Sequence, residues 1–119
     1  MAATRNGNED CIFCRIAGGE IKTDFVAETP QAVAFNDLHP AAPVHILILP
    51  RRHVGSLRDL RDPVLAGDLL LFAAQVARQA GLQEGGYRVV TNDGPDAGQT
   101  VHHLHFHVLG GHTLQTALG

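Results

Sequence analysis

Three of the chain's eight histidines alternate with apolar residues in the stretch His103-Leu104-His105-Phe106-His107-Val108-Leu109. A period of two is the pattern of a half-buried strand. It predicts that Leu104, Phe106 and Val108 face a core, while three imidazoles leave the other face at intervals of roughly 6.5–7 Å, from about 3.3 Å of rise per residue. Imidazole is the side chain that serves as base, nucleophile or metal ligand near neutral pH. Three readings suit such a row. The histidines can share one metal ion, although catalytic zinc centres usually draw on further elements and nearby carboxylates. One imidazole can attack phosphorus and form a covalent phosphohistidine that water resolves. The third reading is a polar sheet face with no chemistry.

Other residues bear on this choice. In the preceding loop, Asp93-Gly94-Pro95-Asp96-Ala97-Gly98-Gln99-Thr100, Gly94 and Gly98 allow backbone N–H groups to approach an anion, and Gln99 and Thr100 add side-chain donors. His45 interrupts the apolar run Val44–Leu49, where a buried imidazole needs a partner. Asp37, ahead of His39-Pro40, suits a turn as well as a site. Cys11 and Cys14 are too few and too close for a secreted disulfide framework. They read as half of a metal site, a redox pair or two small buried residues. His102 falls, by the alternation, on the opposite face with Leu104 and Phe106.

The elements that must position these groups follow from pattern. Ile12, Phe13 and Ile16 fit a short helix ended by Gly18-Gly19. Strands are predicted over Asp24–Glu28, Ala32–Asn36, Val44–Leu49 and Tyr87–Asn92, besides the histidine strand. The third, bounded by Pro43 and Pro50, suits a central strand covered on both faces. The long helix has Asp62 as N-cap, Pro63 at its first position and Gly81 beyond Arg78. Its core stripe is Leu65, Leu69, Phe72, Val76 and Ala80. Leu70, Ala74 and Ala77 add an apolar face beyond that stripe. Five strands with so few helices predict an α+β domain with an antiparallel sheet. Residues 1–9 read as a flexible polar lead and 10–119 as a single domain.

Composition narrows the class. A formal net charge of −3 gives no drive toward nucleic acid or an anionic membrane. No apolar run approaches the roughly 20 residues that span a bilayer. The polar start lacks a signal-peptide core, so the expectation is a cytoplasmic protein.

The stretch Gly98-Gln99-Thr100-Val101-His102-His103-Leu104-His105-Phe106-His107-Val108-Leu109 strongly resembles the His-φ-His-φ-His-φ-φ motif of the HIT (histidine triad) superfamily. Ala34-Phe35-Asn36-Asp37-Leu38, the run from Ala42 to His53, Gly86-Tyr87-Arg88 and Leu109-Gly110-Gly111 resemble the Hint branch, the histidine triad nucleotide-binding proteins. The likeness extends from about Asp10 to Gly111. It implies the HIT fold: a five-stranded antiparallel sheet with one long and one or two short helices, the sheet extended across a homodimer. It implies a hydrolase of purine nucleoside 5′-phosphoramidates. By the same resemblance His105 is the nucleophile, and His107 and His45 contact phosphate and leaving group. Asn92, Gly98, Gln99 and Thr100 surround the phosphate, Asp37 holds the ribose, and Ile12, Phe13, Ile16, Phe35 and Leu38 line the purine pocket. Members with Cys-x-x-Cys near the start often hold structural zinc. The matching ligands are Cys11, Cys14, His53 and His103, so His103 is both ligand and orienting group. No organic cofactor is implied. The loop Asp93–Thr100 is closer to the diadenosine-polyphosphate-hydrolysing Fhit branch, and the tail His112–Gly119 lacks the Trp-Pro-Pro ending of animal Hint proteins. A nucleotide-binding regulatory protein with little turnover is the non-enzymatic alternative. The uridylyl-transferase branch carries glutamine where His107 stands.

Overall fold

The computed structural model describes residues 10–115. The lead expected over 1–9 lies outside the described residues, as do 116–119. The strands are β1 (Phe25–Glu28), β2 (Ala32–Asn36), β3 (Val44–Pro50), β4 (Tyr87–Val90) and β5 (Phe106–Gly110). They form one antiparallel sheet in the order β1-β2-β3-β5-β4. Helix α1 (Ile12–Ala17) precedes the sheet and helix α2 (Pro63–Gln79) links β3 to β4. No described helix is long and apolar enough to cross a membrane.

The central strand explains the layering. Alternate β3 residues serve two separate cores, as a run buried on both faces requires. Ile46 and Ile48, with Ala32, Ala34, Phe106 and Val108, pack under Leu65, Leu69, Phe72, Ala73, Val76 and Ala77 of α2. Leu47 and Leu49, with Val33 and Phe35, pack under Phe13, Ile16 and Ala17 of α1. Each large side chain fully buried this way contributes about 1.5–3 kcal/mol. Asp62 caps α2 as expected: its carboxylate accepts from the amides of Val64 and Leu65, worth about 1 kcal/mol. Ala77 departs from expectation. It is wholly buried in the α2 core rather than on an outer face, because the stripe is wide enough to include Ala73 and Ala77. The outer apolar residues of α2 are instead Val64, Leu70 and Leu71.

The two sheet edges differ. On β1 the register slips between Phe25 and Ala27, and such an irregularity hinders further pairing. On β4 the ladder with β5 is regular from Tyr87↔Gly110 to Val90↔His107.

The histidine strand is shorter than its alternation predicts. Pairing begins at Phe106, and His103 and His105 lie ahead of it. Side chains take the main-chain groups there. His105 Nδ1 lies 2.7 Å from the carbonyl of His103, and the Thr91 hydroxyl donates to the carbonyl of His105 at 2.7 Å. That second bond also ends β4 at Val90, before the expected Asn92. Once the chain leaves the ladder, strict alternation fails. His103 turns inward and is fully buried, and His102 is exposed instead of facing the core with Leu104 and Phe106.

Candidate functional site: two histidine clusters meeting at His105

The pairing of β3 with β5 sets the first cluster. Leu47 opposes His107 and Leu109 opposes His45, so His45 and His107 are diagonal neighbours on the α1 face of the sheet. Their rings lie 5.1 Å apart, and His45 Nε2 is 2.9 Å from His107 Nδ1. His45 thus has the partner its burial demands. Asp37, just after β2, brings Oδ2 to 3.4 Å from the same Nε2, while its Oδ1 accepts from the amide of His39. The turn role and the site role coincide in one carboxylate.

Proton positions follow from partners of fixed character. The amide of Ala41 donates to His45 Nδ1 at 3.0 Å, so a neutral His45 carries its proton on Nε2. That proton faces His107 Nδ1, which places the His107 proton on Nε2. A carbonyl only accepts, so His105 carries its proton on Nδ1, against the carbonyl of His103. In the neutral ring Nε2 therefore keeps a lone pair. The His105 ring is half-buried, 5.2 Å from that of His107 and 5.0 Å from Phe13, which meets it edge-on. The arrangement sets an imidazole nitrogen not engaged by the protein beside a second imidazole able to exchange a proton. Asp37, His45 and His107 are close enough together to invite a metal ion. Ligation through His45 Nε2 would require the proton on Nδ1, where the Ala41 amide already donates, so the three are better suited to carrying protons.

The second cluster lies on the other side of His105. Cys11, Cys14, His53 and His103 present four donor atoms all within 4.8 Å of one another. His103 Nε2 lies 2.8 Å from the carbonyl of Pro50 and must donate to it. Its Nδ1 lone pair is left facing Cys11 Sγ at 3.3 Å and Cys14 Sγ at 3.4 Å. His53 Nδ1 is 3.1 Å from Cys14 Sγ, and the Cys14 amide donates to Cys11 Sγ. A ring whose far nitrogen is tied to a carbonyl is how metal-binding histidines are oriented. Two sulfurs and two imidazole nitrogens are a closed tetrahedral donor set, and these residues fit a metal ion. A metal shared by the three alternating histidines is not what the geometry provides.

The loop before the histidines corrects an expectation. Gly94 and Gly98 have φ of +88° and +82°, conformations that favour glycine. Their amides are already engaged: Gly94 donates to Gln99 Oε1 at 2.8 Å and Gly98 to the carbonyl of Pro95 at 3.0 Å. Both Gln99 side-chain donations go to carbonyls, of Gly55 at 2.9 Å and Val101 at 3.1 Å. Gln99 is thus a brace that folds the loop, because burial obliges its amide to find partners within the protein. The loop is also held by Asp93, which accepts from the amide and Nε of Arg58. Thr100 is exposed and Asn92 half-buried, and their side chains form no hydrogen bond among the described residues. Of the five apolar candidates, Phe13, Ile16 and Phe35 join one cluster. Ile12 and Leu38 lie at the surface, Leu38 being 90% exposed. The backbone anchors at Ala41, Pro50 and His103 carried no sequence signal. Thr91 was missed too, although a hydroxyl residue at the end of a strand facing the histidines is a readable hint.

With the geometry in hand, comparison with known proteins is decisive on kinship. The HIT domain model matches residues 18–114, and the chain belongs to the HIT family. It is 47% identical over 109 residues to an uncharacterized HIT-like protein of Synechococcus elongatus, covering 90% of this chain and 95% of that one. A HIT family hydrolase from Legionella pneumophila superposes with a TM-score of 0.89 at 40% identity, covering 92% of this chain and 100% of its own. A HIT family hydrolase from Clostridium thermocellum gives 0.90 at 38% identity, covering 94% and 99%.

Burial lowers the affinity of His107 for a proton from 6.5 to about 4, with the neighbouring His105 and His45 rings adding to the effect and Asp37 opposing it. At His107 the unfolded chain therefore binds more protons than the folded one between about 4 and 6.5. His107 adds a stability contribution that is whole above 6.5 and is lost as pH falls toward about 4. Denaturant midpoints measured across that window should fall on acidification, and less steeply in His107→Asn. Equal slopes in the two proteins would refute this assignment.

Proposed function

We propose that the protein is a nucleotide-binding hydrolase that cleaves purine nucleoside 5′-phosphoramidates, adenylyl conjugates foremost, through a covalent nucleotidyl-histidine. The observation that carries this reading is the bond from His105 Nδ1–H to the carbonyl of His103 at 2.7 Å, which leaves Nε2 as a nucleophile. His105 Nε2 attacks the α-phosphorus and the P–N bond to the amine breaks. The amine takes a proton from His107 Nε2, for which the His45–His107 pair first takes up one proton, its positive charge offset by the Asp37 carboxylate 3.4 Å from His45 Nε2. Water then attacks phosphorus, His107 Nε2 receives its proton, and the P–N bond to His105 breaks to release the nucleoside monophosphate. Thr100 and Asn92 supply donors to the phosphoryl oxygens, with the loop around Gly98 and Gln99 as their support. Asp37 holds the ribose, and Phe13, Ile16 and Phe35 form the floor for the purine. Ile12 and Leu38 sit at the rim.

A second reading, diadenosine polyphosphate hydrolysis, draws on the loop sequence and on the exposed Arg58 guanidinium beside Asp93, a cation suited to further phosphates. An adenosine phosphoramidate with a fluorogenic amine, run beside a diadenosine polyphosphate, separates the two. We expect the phosphoramidate to be preferred and His105→Ala to lose on the order of a thousandfold or more in kcat while nucleotide affinity changes little. Preference for the polyphosphate would favour the second reading. Near-normal turnover by His105→Ala would sink the nucleophile assignment, and no turnover of either compound would leave a regulatory nucleotide-binding role.

The metal at Cys11, Cys14, His53 and His103 is zinc in this reading, and its part is to cross-link α1 to the strands of the site. Elemental analysis should give equimolar zinc in the purified protein and none in Cys14→Ser. Freely titratable thiols with no bound metal would contradict it.

The protein is further proposed to work in the cytoplasm as a homodimer. Support comes from the regular, unpaired edge of β4, where Tyr87 and Val89 are exposed, and from Val64, Leu70 and Leu71 on α2. Sedimentation equilibrium is expected to return twice the mass of the chain, and a monomer at micromolar concentration would exclude the dimer.

A further inference from the structure

The four-donor cluster touches the nucleophile along two separate routes. His103 provides the first. Its ring is a member of the cluster, is fully buried and is fixed by Pro50, while its own carbonyl holds His105 Nδ1 at 2.7 Å. Any shift of the His103 ring strains the main chain that carries this acceptor. Phe13 provides the second. It sits between Cys11, the N-cap of α1, and Cys14, in the first turn. Its ring meets that of His105 edge-on at 5.0 Å with planes at 88°, and that of His103 at 6.0 Å. Helix α1 has six residues, well below the length at which a helix holds by itself. Its seat depends on the apolar contacts of Phe13, Ile16 and Ala17 and on the sulfur–imidazole cluster at its start. His105 is thus held between Phe13 on one side and His107, at 5.2 Å, on the other.

We propose that the Cys11–Cys14–His53–His103 centre positions the nucleophile: the filled centre seats α1, and Phe13 and the His103 carbonyl together fix the rotamer of His105. Phe13 is on this view a positioning residue as well as part of the apolar floor. The proposal rests on His105 being the nucleophile, but its central readout does not. A displacement of about 1 Å at a reacting group can cost on the order of a hundredfold in rate, so a loosened ring should show mainly in kcat.

The test uses the full-length protein with ¹⁵N-labelled histidine, in the zinc-loaded, chelator-stripped and zinc-restored states, together with Phe13→Leu. In the loaded protein we expect a protected Nδ1–H signal from His105. It should vanish or broaden on stripping and return with zinc, while methyl signals of Ile48, Leu69 and Val108 on the α2 side stay in place. Phe13→Leu should keep equimolar zinc yet show faster exchange of the His105 Nδ1–H, with kcat down on the order of tenfold or more and KM within a few fold. A stripped protein that retains both the Nδ1–H signal and kcat would overturn the proposal. If stripping unfolds the chain, Phe13→Leu decides, and an unchanged His105 signal at full zinc content overturns it. If the loaded protein turns over no phosphoramidate, the hydrolase reading fails while the Nδ1–H signal still judges the positioning role.

Discussion

Everything at the site depends on the register between β3 and β5. Because Leu47 opposes His107 and Leu109 opposes His45, two imidazoles from distant parts of the chain share one face at hydrogen-bonding distance. A slip of one residue would send every β5 side chain to the other face. It would place His107 in the core under α2 and Val108 in the site. The register is protected by the cost of that exchange, since Phe106 and Val108 are buried against α2 and a slip would put imidazoles into that apolar core in their place. Packing of the far core therefore fixes the chemistry of the near face.

Much of this was legible in the sequence because it rests on periodicity. The central strand, the α2 cap at Asp62 and its stripe all follow from hydrophobic spacing and from residues with few conformational options. The HIT motif told which histidines meet. What spacing could not convey is where side chains displace the ladder. His103 and His105 alternate like strand residues, yet their main-chain groups bond to His105 Nδ1 and to Thr91. One histidine then becomes a buried member of the cysteine cluster, and another a half-buried ring with Nδ1 tied to a carbonyl. Gln99 shows the same limit from the other side. Its type suggested a ligand donor, but burial at 9% exposure commits its amide to the loop itself. Local composition names the polar groups, and only the tertiary path says which of them are left over.

The two clusters meet at the pair His103 and His105, and in the proposed function they divide between ordering and reaction. On one side are soft sulfur donors and a fully buried imidazole, an environment that rewards a fixed, closed structure. On the other side are a carboxylate, the buried His45 and the half-buried His105 and His107, with burial holding His107 below the usual histidine range. Had the three alternating histidines been equivalent, neither role would be well served, because a ring bound to metal has no free lone pair.

The imidazole chain also has a direction. The amide of Ala41 donates into the His45–His107 pair, and the carbonyl of His103 receives from His105, whose ring lies 5.2 Å from that of His107. Neither terminal group belongs to a side chain, so no amino-acid replacement short of proline removes the donor and none removes the acceptor. The polarity of the site is written in the course of the backbone. Insertions or deletions between Leu38 and Pro43, which would carry the Ala41 amide away from His45, are what could undo it at that end, and the length of the turn is accordingly a constraint on the site that no side chain records.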